Sequence, residues 1–539
     1  MLSLSFQVGQ FGKLLFWLPI LAILLFFAKA VYNVLFHPLR DIPGPFWARA
    51  SGVPSWYHAT TGKRHIWLSK QFEIYGDRIR PEPNTVLFRN PEAYGDIYSL
   101  KANVRRSSFY TALRRKFHEG NTLTTIDVAE HAAKRKLLSS AFTEKSLRSA
   151  TSFIIEHVDR WNQVMLDEND NATEWSAATD FSRRLDALTF DIMGDLAFGR
   201  SFGIKEPGNN PLKAVPENIA GYMKFYYPFC RSPFLDFLIW IKPRGLDRLF
   251  GIIAPQAVRD MNRFTEETLA ERKALHAEQA GKPEGERRQD IFYFIREARD
   301  PNTGLPAYND MDLKSESGLM IVAGSDTTSI SLSGVFFCLT GDPSRYQKLV
   351  DEIRTTFDTP EDIVYGPKLL GCKYLRACID EGMRFAPSGP CDLPREVLKG
   401  GIRIDGNYYP EGTIVATVPW VMTRSESIYE DPEIFRPERW IEDPSTGVSK
   451  ESVARLKQNF HPFSAGPGSC LGRHVAMAEM LLTVARTLHR LGIRRVPGST
   501  FGGGQPSLGW GESDPRHIRL YDAFISLREG PQVQFRKRT

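Results

Sequence analysis

Cysteine is scarce: six in 539 residues (Cys230, Cys338, Cys372, Cys378, Cys391 and Cys470), with no pair spaced as CxxC. That spacing excludes a zinc ribbon and a thioredoxin-like redox motif. A chain this long builds its core without disulfide staples, so the thiols read as mostly small buried hydrophobes in a reducing compartment. Charge of one sign is also missing. Lys and Arg number 69 against 63 Asp and Glu, a net of +6, which gives nucleic-acid binding no support. The 42 glycines and 35 prolines follow no G-X-Y period, which excludes collagen, and no internal repeat is present. Mean hydropathy of −0.30 is too polar for a multi-span membrane protein. What is present is 42% hydrophobic and 24% charged residues, the balance of a large globular body. Length alone, at ~150 residues per domain, would allow three or four domains.

One long apolar run exists. Leu14–Ala28 is unbroken, Lys29 interrupts it, and the run resumes to Phe36, for 23 residues in all. As a helix these span about 35 Å, enough for a bilayer. The run is longer than a signal-peptide core, and no small-x-small cleavage site follows. Residues 14–36 are therefore expected to be a transmembrane anchor, with 1–13 a short lumenal N-terminus. Arg40, Arg49, Lys63 and Arg64 after the span, against Lys13 before it, put the body in the cytosol. Residues 37–50, beginning HPLRDIPGP, read as a stiff, extended proline-rich hinge. Residues 51–539 form the body. Charge-rich helical stretches such as 129–141 and 261–278 dominate it, 280–290 reads as a surface loop, and 401–409 and 413–418 alternate like small sheets. The fold class expected is mainly α with small β-sheets. An aromatic-rich stretch, 222–240, reads equally as core helix or as a surface dipping into a membrane.

Five motifs carry the chemistry. Cys470 lies in PFSAGPGSCLGRHVAMAE, residues 462–479, where glycines at 466, 468 and 472 force a tight turn into a helix starting near His474. A cysteine there can be a nucleophile, a metal ligand or a buried thiol. Ala323-Gly-Ser-Asp-Thr-Thr328 interrupts an apolar helix running from about Asp312 to Leu339. These are poor helix choices, able to form a groove with a proton relay beside it. Glu381 and Arg384 share a helix face at i, i+3, and Pro437-Glu-Arg439-Trp440 adds another arginine. His131 and Arg135, at i, i+4, suit an anionic group. Each of the last three alone also reads as a solvated helix face, and Ser325 or Asp326 also reads as an N-cap starting a new helix.

In this order and spacing the motifs resemble the cytochromes P-450, heme-thiolate monooxygenases, and most closely fungal microsomal members that tailor secondary metabolites. The resemblance covers the whole chain. It implies a cytochrome P-450 fold behind one N-terminal transmembrane helix, with heme as cofactor and Cys470 as the axial thiolate and metal ligand. It implies that Phe463 packs near the sulfur, that Gly466 lets the loop approach it, and that Gly324 opens the helix for dioxygen. Asp326 and Thr327 match the acid–alcohol pair that supplies protons for O–O cleavage. His131, Arg135 and Arg395 match heme-propionate contacts, and Glu381, Arg384 and Arg439 match a structural triad. The sequence departs from the family at Gly468, where a basic residue is usual, at His131, where Trp is usual, and at Thr423-Arg424, where His-Arg is common.

The partners implied are NADPH-cytochrome P-450 reductase, O2, membrane lipid and a hydrophobic small-molecule substrate, with no nucleic acid. The location implied is the endoplasmic reticulum membrane, single-pass, with the catalytic domain cytosolic. Pocket linings are expected from residues 100–123, 222–240, 320–323, 386–393 and 521–524. The reaction implied is hydroxylation, desaturation or epoxidation of a secondary metabolite. Sterol, fatty-acid or xenobiotic oxidation, a reductase-independent isomerase and a non-enzymatic ligand-binding protein are the alternatives. With the body cytosolic, the sequon at Asn171 stays unmodified. A mass shift on glycosidase treatment of the protein purified from its native membrane would contradict this topology.

Overall fold

The structure is a computed structural model that describes residues 2–169, 171, 173–253, 256–283, 286–299 and 304–538. Among the described residues helices dominate, and four small sheets of two to five strands sit among them. The expected 401–409 alternation is a hairpin, Ile402–Ile404 against Asn407–Tyr409. Its turn residues Asp405 and Gly406 both have positive φ (48° and 72°), the backbone a tight two-residue hairpin requires. The 413–418 stretch supplies Ile414–Thr417, which pairs in parallel with Thr85–Phe88 inside the five-stranded sheet. The helical stretches near 129 and 261 are the helices Val128–Ser139 and Gln256–Gln279.

The element that organises the site is the central helix, Asp310–Gly341. Asn309 caps it by accepting the Asp312 N–H, and its C-terminal half is almost wholly buried. The hydroxyl residues that lower its propensity do not break it. Ser325, Thr327, Ser331 and Ser333 each donate to the carbonyl four residues back, at 2.6–2.9 Å, so their polar groups are satisfied inside the core. Two glycines set a close helix crossing. A Cβ at Gly334 would collide with Ala386 Cβ, and one at Gly382 with Val335, so the helix Lys373–Phe385 lies directly against the central helix.

That second helix carries Glu381. Its carboxylate is fully buried and accepts from Arg384 Nη2 (2.8 Å) and Nε (2.9 Å), Arg439 Nε (3.1 Å), Trp440 Nε1 (2.9 Å) and the Arg436 N–H (2.9 Å). Burial pushes its pKa up, but Arg384 and Arg439 outweigh that and hold it below the usual range. The cluster joins the 373–385 helix to the 430–440 loop, because Arg384 and Arg439 also bond carbonyls of residues 423, 430–432 and 434.

The N-terminal helix is continuous from Leu2 to Leu35, with Pro19 inside it. Its apolar described portion is Ile20–Leu35. The only described helix that is itself long and apolar enough to cross a membrane is Asp310–Gly341, which is 67% buried over its most apolar stretch and is a core helix. The extended hinge expected over 37–50 is not observed: Phe46–Ala50 is a short helix. The part before it, 36–45, is not extended either. It folds as successive turns (Arg40 N–H to His37, Ile42 N–H to Leu39) with Leu39 and Ile42 buried. A Cβ at Gly44 would overlap the Arg80 carbonyl, so the segment docks on the first sheet strand. Proline supplies turn geometry here, and the apolar residues between the prolines supply the burial.

The aromatic stretch divides between a buried face and an exposed one. It forms the helices Val215–Cys230 and Leu235–Ile241. Tyr226, Tyr227 and Cys230 are buried, while Phe225, Phe234, Phe237 and Trp240 are more than half exposed.

Removing the Glu381 carboxylate strands two buried guanidiniums. Glu381→Ala is expected to cost about 3–5 kcal/mol, seen as a lowered denaturation midpoint. An unchanged midpoint would show that the cluster is not structural.

Candidate functional site

The central helix and the Cys470 loop enclose one large cavity of about 650 Å³. Gly324, Thr327 and Thr328 line one wall, Phe463 and Cys470 another, and residues from the 113–124 segment, Tyr222, Met223, Ser388 and Phe524 most of the remainder. All five segments anticipated to line it contribute, 320–323 through Met320, Val322 and Ala323. The sequence reading did not anticipate Met193, Thr265 or Glu479, which reach the cavity from helices far along the chain.

The cysteine loop is built by close approach. The Cys470 N–H donates to the Phe463 carbonyl at 2.8 Å, closing the turn. Gly466 has φ +58°, and a Cβ there would overlap the Tyr98 carbonyl oxygen, so glycine seats the loop against the end of the Pro91–Tyr98 helix. The following helix starts at Arg473, with Gly472 as its N-cap. Of the six cysteines five are buried, and Cys470 alone is exposed, toward the cavity. Burial pushes its thiol pKa up, while the Gly472 N–H, Arg135 and Arg473 pull it down, leaving it above the ordinary value.

Beside the loop lies a cationic wall. Arg135 donates to the Ser469 carbonyl (2.6 Å) and hydroxyl (2.8 Å). Arg395 donates to the Tyr110 hydroxyl (3.2 Å) and to the carbonyls of Leu393 (3.1 Å) and Pro394 (3.2 Å). Arg106 donates to the Thr122 carbonyl (2.8 Å) and, with Arg395, stacks on the Tyr110 ring. None of the three guanidiniums pairs with a carboxylate among the described residues. His131 stands with them: its Nε2 is buried without a protein partner. Burial, then Arg106, Arg135 and Arg395, lower its pKa to about 4, so it is neutral. The sequence reading named His131, Arg135 and Arg395 and missed Arg106. The signal was the strand alternation 104–106, which sends Arg105 out to Glu396 and Arg106 inward. The departure at Gly468 also resolves here. A Cβ at 468 would lie 2.7 Å from Arg395 Nη2, so the arginine occupies the space a side chain at 468 would need.

On the opposite wall Thr327 faces the cavity and donates to the Ala323 carbonyl at 2.7 Å. Asp326 does not line the cavity. Its Oδ2 is buried without a protein partner, and burial together with nearby Asp186, against the pull of Arg528, raises its pKa to about 8. Arg528 itself pairs with Asp186 (2.7 Å) and bonds Ser329 (2.6 Å). Gly324 packs on Met193, where a Cβ would lie 2.6 Å from the sulfur.

The family model for cytochrome P-450 matches residues 43–501, most of the chain. The chain belongs to the cytochrome P-450 family. Similar proteins are monooxygenases of that family from fungi. One from Fusarium equiseti (fscF) is 32% identical over 542 residues, covering 100% of this chain and 98% of its own length. One from Gibberella fujikuroi (apf7) is 32% identical over 533 residues, covering 94% and 95%. One from Penicillium oxalicum (poxM) is 31% identical over 517 residues, covering 95% and 92%. The chain is thus an enzyme of the cytochrome P-450 monooxygenase kind. The family implies a heme, and the residues present fit one. A single open thiol at a glycine-cleared loop suits the iron, and guanidiniums without carboxylates suit an anionic edge.

Asp326 yields a pH prediction. Its carboxyl ionises near 4 in the unfolded chain and near 8 when folded. The folded state then binds the extra proton between those values, so this group erodes stability as pH rises from 4 to 8. The melting temperature of Asp326→Asn relative to wild type should climb across that window. A difference that is flat with pH would contradict the buried, protonated carboxyl.

Proposed function

We propose that Cys470 binds heme iron as its thiolate ligand, and that the enzyme uses dioxygen and reductase electrons to oxidise a hydrophobic small molecule. The observation carrying this reading is the solitary opening of Cys470 into the cavity, beside guanidiniums that have no protein carboxylate. When bound, heme supplies dioxygen activation and oxidation of an unactivated C–H bond.

The chain's own residues do the rest. Phe463 and the Gly466 turn hold the sulfur in place. Arg395, Arg135 and Arg106 neutralise the anionic edge of the cofactor, with neutral His131 beside them. Arg395 does so from the space vacated at Gly468. Thr327 presents its hydroxyl to the cavity and orients the protons that the reaction consumes. Asp326, protonated and buried behind it, serves as the reserve for those protons, reached through rotation of its side chain or through solvent near Arg528. The apolar lining excludes bulk water and selects apolar substrates.

Residues 14–36 act as a single-pass anchor in the endoplasmic reticulum membrane, with residues 51–539 as the cytosolic catalytic domain behind the turn-rich segment 37–50. The exposed Phe225, Phe234, Phe237 and Trp240 extend the membrane-facing apolar surface. The electron donor is an NADPH-cytochrome P-450 reductase. The pathway is fungal secondary metabolism, in keeping with the fungal sources of the related monooxygenases, and the reaction is a hydroxylation, desaturation or epoxidation.

Two substitutions separate cofactor binding from proton handling. Cys470→Ala should lose the thiolate-type absorption of the reduced carbon monoxide complex. Thr327→Ala should keep it while diverting NADPH oxidation from product to peroxide, by roughly ten-fold if one positioned proton donor is lost. Unchanged coupling in Thr327→Ala would remove Thr327 from the proton path, and a retained thiolate spectrum in Cys470→Ala would refute the assigned ligand.

A further inference from the structure

The anchor reading leaves one residue out of place. Asn33 stands inside the apolar run that ends at Phe36, and an amide in the hydrocarbon of a bilayer is costly unless it is bonded. Its amide is taken up by the body. Asn33 is only 5% exposed, and its Nδ2 donates to the Ala50 carbonyl (2.9 Å) at the end of the helix Phe46–Ala50. Ala30, Val34 and His37 are partly buried around it, whereas every residue from Leu21 to Lys29 is exposed. The helix is thus bare up to Lys29 and seated along one face on the body from Ala30 onward.

Arg80 makes the joint. It is buried in the middle of the strand Arg78–Glu82, and three segments meet on it. Its Nη2 donates to the Asn33 carbonyl (2.9 Å), one of the carbonyls left free at a helix C-terminus. Its N–H donates to the Pro43 carbonyl (2.8 Å), and Gly44 lies so close that a Cβ there would overlap the Arg80 carbonyl oxygen. Its Nε donates to the Pro83 carbonyl (2.8 Å), which holds the guanidinium in place. Two more arginines tie the same stretch: Arg40 Nη1 donates to the Leu35 carbonyl (3.3 Å) and Arg49 Nη2 to the Arg40 carbonyl (2.9 Å). The platform continues to the aromatic helices. A Cβ at Gly52, two residues past Ala50, would touch Pro233 at 3.4 Å, and Trp56 Nε1 donates to the Pro228 carbonyl (3.1 Å).

We infer that the anchor and the body are one rigid piece, with Asn33 and Arg80 fixing the membrane helix to the body so that no swivel lies between them. The inference rests on the anchor reading above and adds to it the mechanics of the joint. Separate bodies on one chain move relative to one another unless a packed interface ties them, and here buried hydrogen bonds tie the last turn of the helix, the 36–45 turns and the first sheet strand together. The tilt of a membrane helix follows its packing against neighbouring protein, and that neighbour is the catalytic body itself. The exposed Phe225, Phe234, Phe237 and Trp240 then meet the lipid in one orientation, set by the angle at which the helix leaves Arg80.

The test uses the full-length holoenzyme in phosphatidylcholine nanodiscs, with paired spin labels whose separation is read by pulsed electron paramagnetic resonance. One pair joins anchor to body, Leu24→Cys with Lys399→Cys. A control pair, Glu73→Cys with Lys399→Cys, lies wholly in the body, and the unsubstituted protein gives the blank for labelling at native cysteines. All three labelled positions are exposed. The expected result is an anchor–body distance distribution as narrow as that of the control pair. Asn33→Ala combined with Arg80→Met should widen the anchor–body distribution roughly two-fold, as the joint becomes a linker, and leave the control pair unchanged. A wild-type anchor–body distribution far broader than the control overturns the rigid joint. An unchanged width in the double variant overturns the part given to Asn33 and Arg80. A chain that does not co-purify with the discs overturns the anchor reading, and the proposal with it, so the two failures are told apart. The wild-type comparison stands as a test even if the double variant does not fold.

Discussion

Everything at the site depends on how closely the cysteine loop can approach the body. The Cys470 N–H closes on the Phe463 carbonyl, and the turn between them has room only because residue 466 has no side chain to meet the Tyr98 carbonyl. A Cβ there would push the loop outward and move the sulfur. Closed, the loop aims the one open thiol of the chain at the central helix, and Arg135 ties the preceding residue, Ser469, from the far side. A Gly-rich run is usually an entropic cost; here it is the condition for a closed loop.

The electrostatics of the cavity follow from what is left unpaired. Two buried charge groups are paired: Glu381 receives five hydrogen bonds, and Arg64 and Arg231 both meet Asp392. The guanidiniums of Arg106, Arg135 and Arg395 instead bond only carbonyl and hydroxyl oxygens. A buried cation without a counter-ion is costly, and these three stand without one among the described residues. Behind the opposite wall, desolvation beside a second carboxylate raises the pKa of Asp326.

Much of this was legible in the sequence, and the limits have physical causes. The central helix was readable because its apolar run outweighs five poor helix formers, two of which, Ser325 and Thr327, bond their hydroxyls back to the helix. The 401–409 sheet was readable from its alternation. The 37–45 segment was misread as extended because prolines suit turns as well as extended chain, and the burial of Leu39 and Ile42 is a tertiary fact. Arg106 was missed because only the sheet register decides which of two adjacent arginines faces inward. Asp326 and Thr327 were readable as neighbours in sequence, but helix geometry points them to different sides, and only the packing of Asp186 and Arg528 gives the acid its environment. The resolution of Gly468 lay beyond any local reading, since the arginine that takes its space is more than seventy residues away in the chain.

The central claim is that one sulfur, that of Cys470, coordinates iron. X-ray absorption at the iron edge of the heme-loaded protein reads this directly. The account predicts one sulfur scatterer in the first shell of wild type and none in a Cys470→Ser protein loaded with the same heme. Nitrogen and oxygen scatterers alone in wild type, or a sulfur that persists without Cys470, would contradict it.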